Sequence, residues 1–353
     1  MRVFLTGGTG FVGHHMARAL AARGDDVVAL VRHGSDTSGL VAPGCDAACA
    51  SEISGKRESN EISDRSGGAP SSPGGRVSLA EGTLFDADRM ARLMDGCDAV
   101  IHCAGAIKAL APEGFFAVNA GGSETAVKAA RMAGVRRFHM VSSIAARGPI
   151  TGPGQCAPPV SHYGRSKREG EGLVLQAAGP VEVTFTRPPP VYGPRDLGML
   201  AVFKAAAAGV FPLYGRGRSR VAMVHVSDVV GAILSLVLAP APVPVGPYYP
   251  EDGSNPSWSE LASAFEAAAG RRARRIPLPP ALFWTAAACA TAFSRIARRP
   301  AVFGLDKVRE MSCPDWTASA ADLTAATGWR ARVPLQDGLA QTMRWYRGQG
   351  WVR

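Results

Sequence analysis

The sequence contains few aromatic residues, few charged residues and no long apolar run. Aromatic residues make up 7% and charged residues 19% of the 353 residues, whereas 46% are hydrophobic. This apolar content suffices for a sizeable core and excludes a chain that is disordered throughout. No stretch approaches the roughly 20 apolar residues of a spanning helix, because the nearest, residues 281–293, is interrupted by Thr285 and Thr291. We therefore expect one large domain or two fused domains that do not span a membrane.

The seven cysteines include no C-x-x-C pair, and Cys45 and Cys49 have no histidine cluster nearby. This favours reduced thiols and no bound metal. Met1 and Arg2 lead directly into a short apolar run that ends in glycines, unlike a secretory signal. The sequence thus predicts a cytoplasmic protein.

Acidic residues are scarcer than basic ones, 29 against 39, which gives a formal net charge of +10. The charge is carried mostly by arginines spread along the chain, without a basic motif interleaved with aromatics. We therefore expect no nucleic-acid partner, while anionic lipids and anionic small molecules stay open.

Short apolar runs alternate with helical patterns in the first half of the chain. The strand-like runs are residues 3–5, 27–31, 99–101 and 138–141, and the helical patterns are residues 12–23, 87–94 and 123–133. Such alternation indicates βαβ units. We predict an α/β fold with a doubly wound parallel sheet of the Rossmann type.

Composition divides the chain into two predicted domains. Residues 1–187 form the dinucleotide-binding domain, in which the polar stretch 51–75 is predicted to be a flexible insertion. Residues 188–353 are richer in proline and form a smaller, mostly helical substrate lobe, with some segments returning to the first domain. Its helical patterns are residues 199–208, 229–238, 257–269 and 335–347.

A glycine-rich turn directly follows the first strand and opens the first helix. Gly7, Gly10 and Gly13 permit a tight turn, close approach of a pyrophosphate and close packing of helix on strand. The N-terminus of the helix then offers free N–H groups to phosphate oxygens. We predict a dinucleotide site here, formed with the neighbouring residues Thr6, Phe11 and Val12.

The end of the second strand bears on the choice of dinucleotide. NAD-binding units usually place an acidic residue there to bond the ribose 2′-OH, but this chain has Val31 followed by Arg32. An arginine suits a 2′-phosphate because its planar fork makes charge-assisted hydrogen bonds. We predict NADP(H), bound through Arg32 and Ser35, with NAD open as the alternative.

A second motif combines Ser143 with Tyr163 and Lys167. Residues four apart on a helix share a face, so Tyr163 and Lys167 point into one pocket. A nearby ammonium is expected to lower the pKa of the tyrosine. Ser143, just past a predicted strand, is placed to hydrogen-bond a carbonyl or hydroxyl.

Taken together, these motifs resemble the extended short-chain dehydrogenases/reductases, the NAD-dependent epimerase/dehydratase superfamily, over nearly the whole chain. Residues 29–36 look most like the branch of dihydroflavonol reductases and 3β-hydroxysteroid dehydrogenases. The matching segments are residues 6–13, 98–105, 141–143, 163–167, 187–196, 224–228 and 345–347.

The resemblance implies a role for each matched residue. Tyr163 would be the general acid/base, Lys167 would bind the nicotinamide ribose and Ser143 would be the catalytic serine. Further cofactor contacts are implied for Ala104, Gly105 and Pro190. Two departures affect cofactor contacts: Thr83 follows Gly82 where the family has aspartate, and a proline stands at 190 where it has asparagine.

Three functions fit this resemblance. The first is an NADP-dependent oxidoreductase that interconverts a secondary alcohol and a ketone, on a steroid-like or other apolar small molecule. The second is an NDP-sugar epimerase with tightly bound NAD, and the third is a non-catalytic dinucleotide-binding protein. Candidate substrate contacts are Lys108, Arg195 and Arg220. A dehydratase is disfavoured because Ile144 and Ala145 follow the catalytic serine where dehydratases have acids.

The segment 276–303 is apolar and is flanked by arginines on both sides. We favour a core helix of the substrate lobe, with peripheral membrane contact as the alternative. The sequence does not determine the oligomeric state, for which a homodimer is our working expectation.

Overall fold

The computed structural model describes residues 1–40, 75–301 and 303–353, so the predicted insertion lies outside the described residues apart from Gly75. The strands are β1 (Arg2–Thr6), β2 (Asp26–Val31), β3 (Val77–Glu81), β4 (Ala99–His102), β5 (Arg137–Val141), β6 (Ile150–Gly152), β7 (Gln155–Cys156), β8 (Glu182–Thr186), β9 (Val191–Tyr192), β10 (Val210–Tyr214), β11 (Arg220–Val221), β12 (Val224–His225), β13 (Pro247–Tyr248), β14 (Arg274–Leu278) and β15 (Asp315–Trp316). The helices are α1 (Phe11–Ala22), α2 (Ala87–Leu93), α3 (Pro112–Phe116), α4 (Gly122–Met132), α5 (His162–Ala177), α6 (Leu200–Ala207), α7 (Val226–Val237), α8 (Trp258–Ala269), α9 (Pro280–Ile296), α10 (Leu305–Met311), α11 (Ala321–Thr327) and α12 (Leu335–Gly348). Within the described ranges, no helix is both long enough and apolar enough to cross a bilayer.

Seven strands form a parallel sheet in the order β13, β8, β5, β4, β1, β2, β3. The central strands are buried on both faces, which explains their continuous apolar runs. From β1 the chain adds β2 and β3 toward one edge of the sheet, and from β4 it adds β5, β8 and β13 toward the opposite edge, so the strand order reverses between β1 and β4. Ligands of such sheets bind in the crevice outside the carboxyl ends of the strands at this reversal. The predicted doubly wound α/β fold is confirmed.

Helices cover both faces of the sheet and create two cores. Met90 of α2, Val127 of α4 and Val174 of α5 pack with β-strand residues on one face. On the other face, α1 and α7 pack together over β1, with Met16 and Ile233 fully buried. The helical pattern at 229–238, assigned from the sequence to the substrate lobe, therefore lies on the sheet as α7, because most of its residues are apolar and need a partner on several sides.

A third core lies in the smaller lobe, between α6, α8, α12 and strand β10. Its centre is aromatic: the Phe203 ring packs edge to face against the rings of Phe265 and Tyr346, with centroid distances of 4.8 and 4.9 Å. The lobe is tied back by the Tyr346 hydroxyl, which donates to the carbonyl of Asp196 at 2.6 Å. The domain division at 187–188 stays a prediction, although β13, from beyond this boundary, joins the main sheet.

Helix α9 is not the core helix that the sequence favoured. Only Ala287 and Ser294 of its 17 residues are buried.

Candidate active site

The glycine turn after β1 lies against the loop after β4. Gly7 adopts a φ of +72°, and a Cβ there would lie 2.6 Å from the backbone nitrogen of Ala104. A Cβ on Gly13 would overlap the carbonyl of Gly7. Both positions therefore require glycine so that α1 can pack onto the turn. Among the described residues no side chain caps α1 and no acid occupies its first turn, so its N–H groups face the crevice in a form suited to a pyrophosphate.

A buried chain of hydrogen bonds fixes the two loops. The Ala104 N–H donates to Thr6 Oγ1 at 3.2 Å, and the Thr6 hydroxyl lies 2.8 Å from His102 Nδ1. His102 Nε2 lies 3.0 Å from Ser123 Oγ, which donates to the carbonyl of Asn119. This series of hydrogen bonds begins at a backbone donor, the Ala104 N–H, and ends at a backbone acceptor, the Asn119 carbonyl. His102 therefore accepts at Nδ1 and carries its proton on Nε2. Burial lowers the pKa of His102 to about 3, so the ring stays neutral and its role is structural, as the sequence indicated.

The residues predicted to select the dinucleotide meet in one tight turn after β2. The N–H of Ser35 donates to the carbonyl of Arg32 at 3.0 Å, and Gly34 supplies the positive φ of +71° that the turn requires. Arg32 is exposed, and its guanidinium has no hydrogen-bond partner among the described residues. Arg32 and Ser35 thus belong to one turn at the carboxyl end of β2, and both residue types can donate hydrogen bonds to a phosphate.

Helix α5 carries Tyr163 and Lys167 one turn apart. Ser161 caps the helix by accepting the N–H of Gly164 at 2.9 Å. The buried Lys167 ammonium donates to the carbonyl of Val141 at 3.0 Å, and burial lowers its pKa to about 8. A Cβ on Gly105 would lie 2.8 Å from Lys167 Nζ, so the absent side chain leaves space beside the ammonium. Glycine at position 105 therefore keeps the ammonium accessible from the loop after β4.

Tyr163 is only partly exposed and packs edge-on against Phe115, with ring centroids 6.2 Å apart. Burial raises the pKa of Tyr163 to about 12, and the nearby Ser143 hydroxyl lowers it less than burial raises it. The lowered tyrosine pKa that the motif predicted is therefore not found. The reason is that the Lys167 ammonium is directed at a backbone carbonyl, while the carboxylate of Glu310 further raises the tyrosine pKa.

Ser143 follows β5 and begins a 3-10 turn over Ile144–Ala146. Its Oγ accepts the N–H of Ala145 at 3.2 Å, and the N–H of Ile144 donates to the carbonyl of Pro188 at 3.0 Å. Pro190 accepts from the N–H of Val224. The proline segment is thereby held next to the serine, so Ser143 and Pro190 lie on the same side of the crevice.

The sequence analysis missed Asn119, which connects three parts of the site. Its amide pairs with both backbone groups of Ala106, at 2.8 and 3.0 Å, and donates to Ser166 Oγ at 2.9 Å. A Cβ on Gly105 would lie 3.1 Å from Asn119 Oδ1. Asn119 sits in a π-helical turn, Ala117–Gly121, a distortion that often occurs at functional sites but that no periodicity in the sequence reveals.

A buried ion pair also escaped prediction. Glu171 accepts two hydrogen bonds from Arg187, at 2.9 and 2.5 Å, and Arg187 also donates to the Tyr249 hydroxyl. The Glu171 carboxylate raises the pKa of Lys167, partly offsetting the effect of burial. The signal was available, since Glu171 extends the Tyr163 and Lys167 spacing by one more helical turn.

Two carboxylates from α10 lie at the N-terminus of α5. Asp306 accepts the N–H groups of His162 and Tyr163, at 2.8 and 3.1 Å, and Glu310 accepts the hydroxyl of Ser161 at 2.7 Å. Negative charge is favourable at this end of a helix. No sequence signal joins segments separated by more than 140 residues, so the sequence could not reveal this contact.

The three candidate substrate residues are not gathered in one place. Lys108 is exposed on the loop after β4. Arg195, with a φ of +73°, reaches the loop after β2, where a Cβ on Gly39 would lie 3.2 Å from its guanidinium. Arg220 donates to the backbone carbonyl of Asn255 at 2.9 Å. In residues 1–40, 75–301 and 303–353 there is no cluster of potential metal ligands.

Comparisons with known proteins agree with this geometry. Residues 3–249 match the model of the NAD dependent epimerase/dehydratase family. The chain is 35% identical to a ceramide reductase of Caulobacter vibrioides, over 99% of this chain and 96% of that protein. It is 31% identical over 66% of its length to a Stigmatella aurantiaca ketoreductase that acts on a farnesyl dihydroquinoline oxide, of which 64% is covered.

A solved structure shares the fold along the whole chain. It is a dTDP-glucose 4,6-dehydratase of Streptomyces venezuelae with NAD bound, 24% identical, with a TM-score of 0.69. The alignment covers 100% of this chain and 99% of the other.

Proposed function

The chain belongs to the NAD-dependent epimerase/dehydratase family and is an NAD(P)-dependent enzyme of the extended short-chain dehydrogenase/reductase type, and on that premise we propose that it reduces a ketone on a long-chain, ceramide-type lipid with NADPH. The observation that carries the proposal is a complete site of Ser143, Tyr163 and Lys167 in a chain similar over its full length to a ceramide reductase.

A bound NADPH would supply the hydride for the carbonyl carbon in the proposed reaction, and the chain's own residues supply the proton. Ser143 holds the carbonyl oxygen, and the Tyr163 hydroxyl donates its proton to that oxygen as the alcohol forms. The raised pKa of Tyr163 keeps the phenol protonated at neutral pH, which is the state that reduction needs. Lys167 contributes positive charge next to the ribose.

The surroundings of the site favour an apolar substrate. Ile107 and Leu110, on the loop that Asn119 anchors, are both exposed large hydrophobic residues, and Phe115 lies against the tyrosine ring. Exposed apolar side chains beside a reactive group gain free energy by covering a hydrocarbon chain.

The preference for NADPH is supported by the turn that joins Arg32 to Ser35. The guanidinium of Arg32 is exposed and carries the charge that a 2′-phosphate would pair with, and Ser35 of the same turn can donate a further hydrogen bond. Val31 offers no carboxylate to a free 2′-OH.

The second candidate is an NDP-sugar epimerase, because the same serine, tyrosine and lysine serve that chemistry. An epimerase of this kind needs cationic side chains to bind the diphosphate of its substrate. The guanidinium of Arg220, one expected contact, instead donates to the backbone carbonyl of Asn255. We therefore rank it below the reductase.

The proposal is tested by incubating the purified chain with NADPH and a keto-ceramide in mixed micelles, or with UDP-glucose. Loss of the reduced-nicotinamide absorbance with the lipid and not with the sugar is the expected result. Conversion of the sugar without net cofactor consumption, together with copurified nicotinamide, would establish the epimerase instead.

A further inference from the structure

Helix α9 exposes an apolar face that nothing in the described part of the chain covers. Leu282 is 50%, Phe293 70% and Ile296 82% exposed. The helix contains one charged residue, Arg295, among its 17. An exposed face of this kind marks a contact with another molecule or with a membrane.

Four of the exposed residues form one stripe along the helix. At 100° per residue, Leu282, Cys289, Phe293 and Ile296 fall within about 60° of one another. The two buried residues, Ala287 and Ser294, fall on the opposite side. Trp284 is also exposed but lies about 120° from the nearest residue of the stripe, so it does not belong to the stripe.

Arginines flank α9 along the sequence, and no acidic residue lies between them. No aspartate or glutamate occurs between Glu266 and Asp306, while seven arginines do. All seven are exposed, and only one, Arg275, has an acidic partner among the described residues, Glu266 at 3.0 Å. The others are Arg271, Arg272, Arg274, Arg295, Arg298 and Arg299.

We propose that α9 docks on the surface of a membrane with anionic lipids. Leu282, Phe293 and Ile296 enter the region between headgroups and acyl chains, and the arginines at both ends bind the lipid phosphates. Charge complementarity selects this occupant, because a second copy of the chain would place seven arginines opposite seven arginines.

Helix α9 is linked through α10 to the helix that carries Tyr163. The N–H of Leu305, the first residue of α10, donates to Thr291 Oγ1 of α9 at 3.1 Å. The next residue, Asp306, accepts the N–H of Tyr163. Thr291 lies on the side of α9 opposite the stripe, so α9 is joined to the N-terminus of α5 through α10, behind the docking face. Docking therefore brings α5 close to the membrane, and a lipid substrate enters the site from the bilayer. This consequence for substrate entry rests on the proposed function, whereas docking rests on α9 alone.

Sedimentation with vesicles of phosphatidylglycerol and phosphatidylcholine tests docking without any turnover. The wild-type chain should cosediment at low salt and be released at high salt. Arg298→Glu with Arg299→Glu should weaken partitioning by at least about 25-fold, since each surface arginine contributes about five-fold. Phe293→Ser with Ile296→Ser removes the apolar contacts with the acyl chains and should abolish vesicle binding.

Matched variants control for charge and for apolarity. Arg92→Glu with Arg344→Glu makes the same charge change at exposed arginines on α2 and α12, and Met132→Ser with Leu175→Ser removes exposed apolar groups from α4 and α5. Both controls should bind vesicles as the wild type does. Unchanged thermal unfolding and NADPH binding establish that every variant is folded.

Wild-type protein that fails to bind anionic vesicles at low salt would overturn the proposal. If light scattering then shows a dimer that Phe293→Ser with Ile296→Ser dissociates, the face is an interface between copies of the chain. Failure of the proposed function is distinct: vesicle binding would persist while no keto-ceramide is reduced. If both hold, Phe293→Ser with Ile296→Ser should lower turnover of vesicle-borne substrate and leave turnover of a short water-soluble ketone unchanged.

Discussion

At the scale of single residues, the phenol of Tyr163 and the ammonium of Lys167 are one turn apart on one helix but contact different partners. Lys167 donates to a backbone carbonyl, and Tyr163 lies near Ser143 and the carboxylate of Glu310. Burial lowers the pKa of the lysine and raises that of the tyrosine. The site therefore starts with a protonated acid, which suits reduction better than oxidation.

Replacing the phenol should stop the chemistry without disturbing the cofactor. We expect Tyr163→Phe to abolish turnover while the NADPH dissociation constant stays nearly unchanged, because only the proton donor is lost. Ser143→Ala should lose about 10²–10³-fold in kcat, as for one positioned donor. Steady-state kinetics and fluorescence titration measure the two effects, and more than a few per cent residual activity in Tyr163→Phe would refute the role of the tyrosine.

The lysine should set the alkaline limit of activity. Its pKa of about 8 means that the ammonium loses its proton as the pH rises through 8, so kcat/KM for ketone reduction should fall there. In Lys167→Arg the charge persists and this limb should move to higher pH. Circular dichroism over the same range controls for unfolding. An unchanged limb in the arginine variant would assign it to another group.

Arg32 should decide between the two dinucleotides. Arg32→Asp replaces a phosphate partner with a repelling charge, so NADPH affinity should fall by about 10–100-fold, while NADH affinity changes little. Arg92→Asp, an exposed arginine on α2, is the control. Equal affinity of the wild type for both dinucleotides would make Arg32 an ordinary surface residue.

At the scale of elements, sequence patterns predicted the features that depend on neighbouring residues. The strand, glycine turn and helix at the N-terminus were predicted within one or two residues, because Gly7 and Gly13 occupy positions where a Cβ has no room. The shared face of Tyr163 and Lys167 followed from helical spacing. Asn119 was missed because its π-helical turn has no periodic signature.

Contacts between distant elements could not be predicted. Asp306 and Glu310 look like ordinary surface acids until α10 is seen at the N-terminus of α5. The direction of Lys167 was equally hidden, because it depends on the carbonyl of Val141 at the end of another element.

The contact between α10 and α5 should contribute measurably to stability. Asp306→Ala removes the acceptor of two backbone N–H groups, so the free energy of unfolding should fall by about 1–2 kcal/mol. Urea denaturation measures this loss. Asp95→Ala, an exposed aspartate without a side-chain hydrogen bond among the described residues, should change it by less than about 0.5 kcal/mol. A loss no greater than that of the control would show that the contact contributes nothing.

At the scale of the whole molecule, the sheet supplies the cofactor side of the site and the α9–α10 segment supplies its outer boundary. The turn after β1, the turn after β2 and the loop after β4 all leave the carboxyl edge of one sheet. The smaller lobe places the carboxylates of Asp306 and Glu310, on α10, at the N-terminus of the helix that carries Tyr163. Helix α9 of this lobe exposes an apolar face, and its Thr291 accepts the N–H of Leu305 at the start of α10.

Transfer of deuterium from NADPH labelled at C4 tests the central claim most directly. The wild-type chain should move the label to the carbinol carbon of the lipid alcohol, as mass spectrometry of the product would show, and Tyr163→Phe should form no labelled product. A labelled cofactor that stays intact while a nucleotide sugar is epimerised by the same preparation would contradict the account.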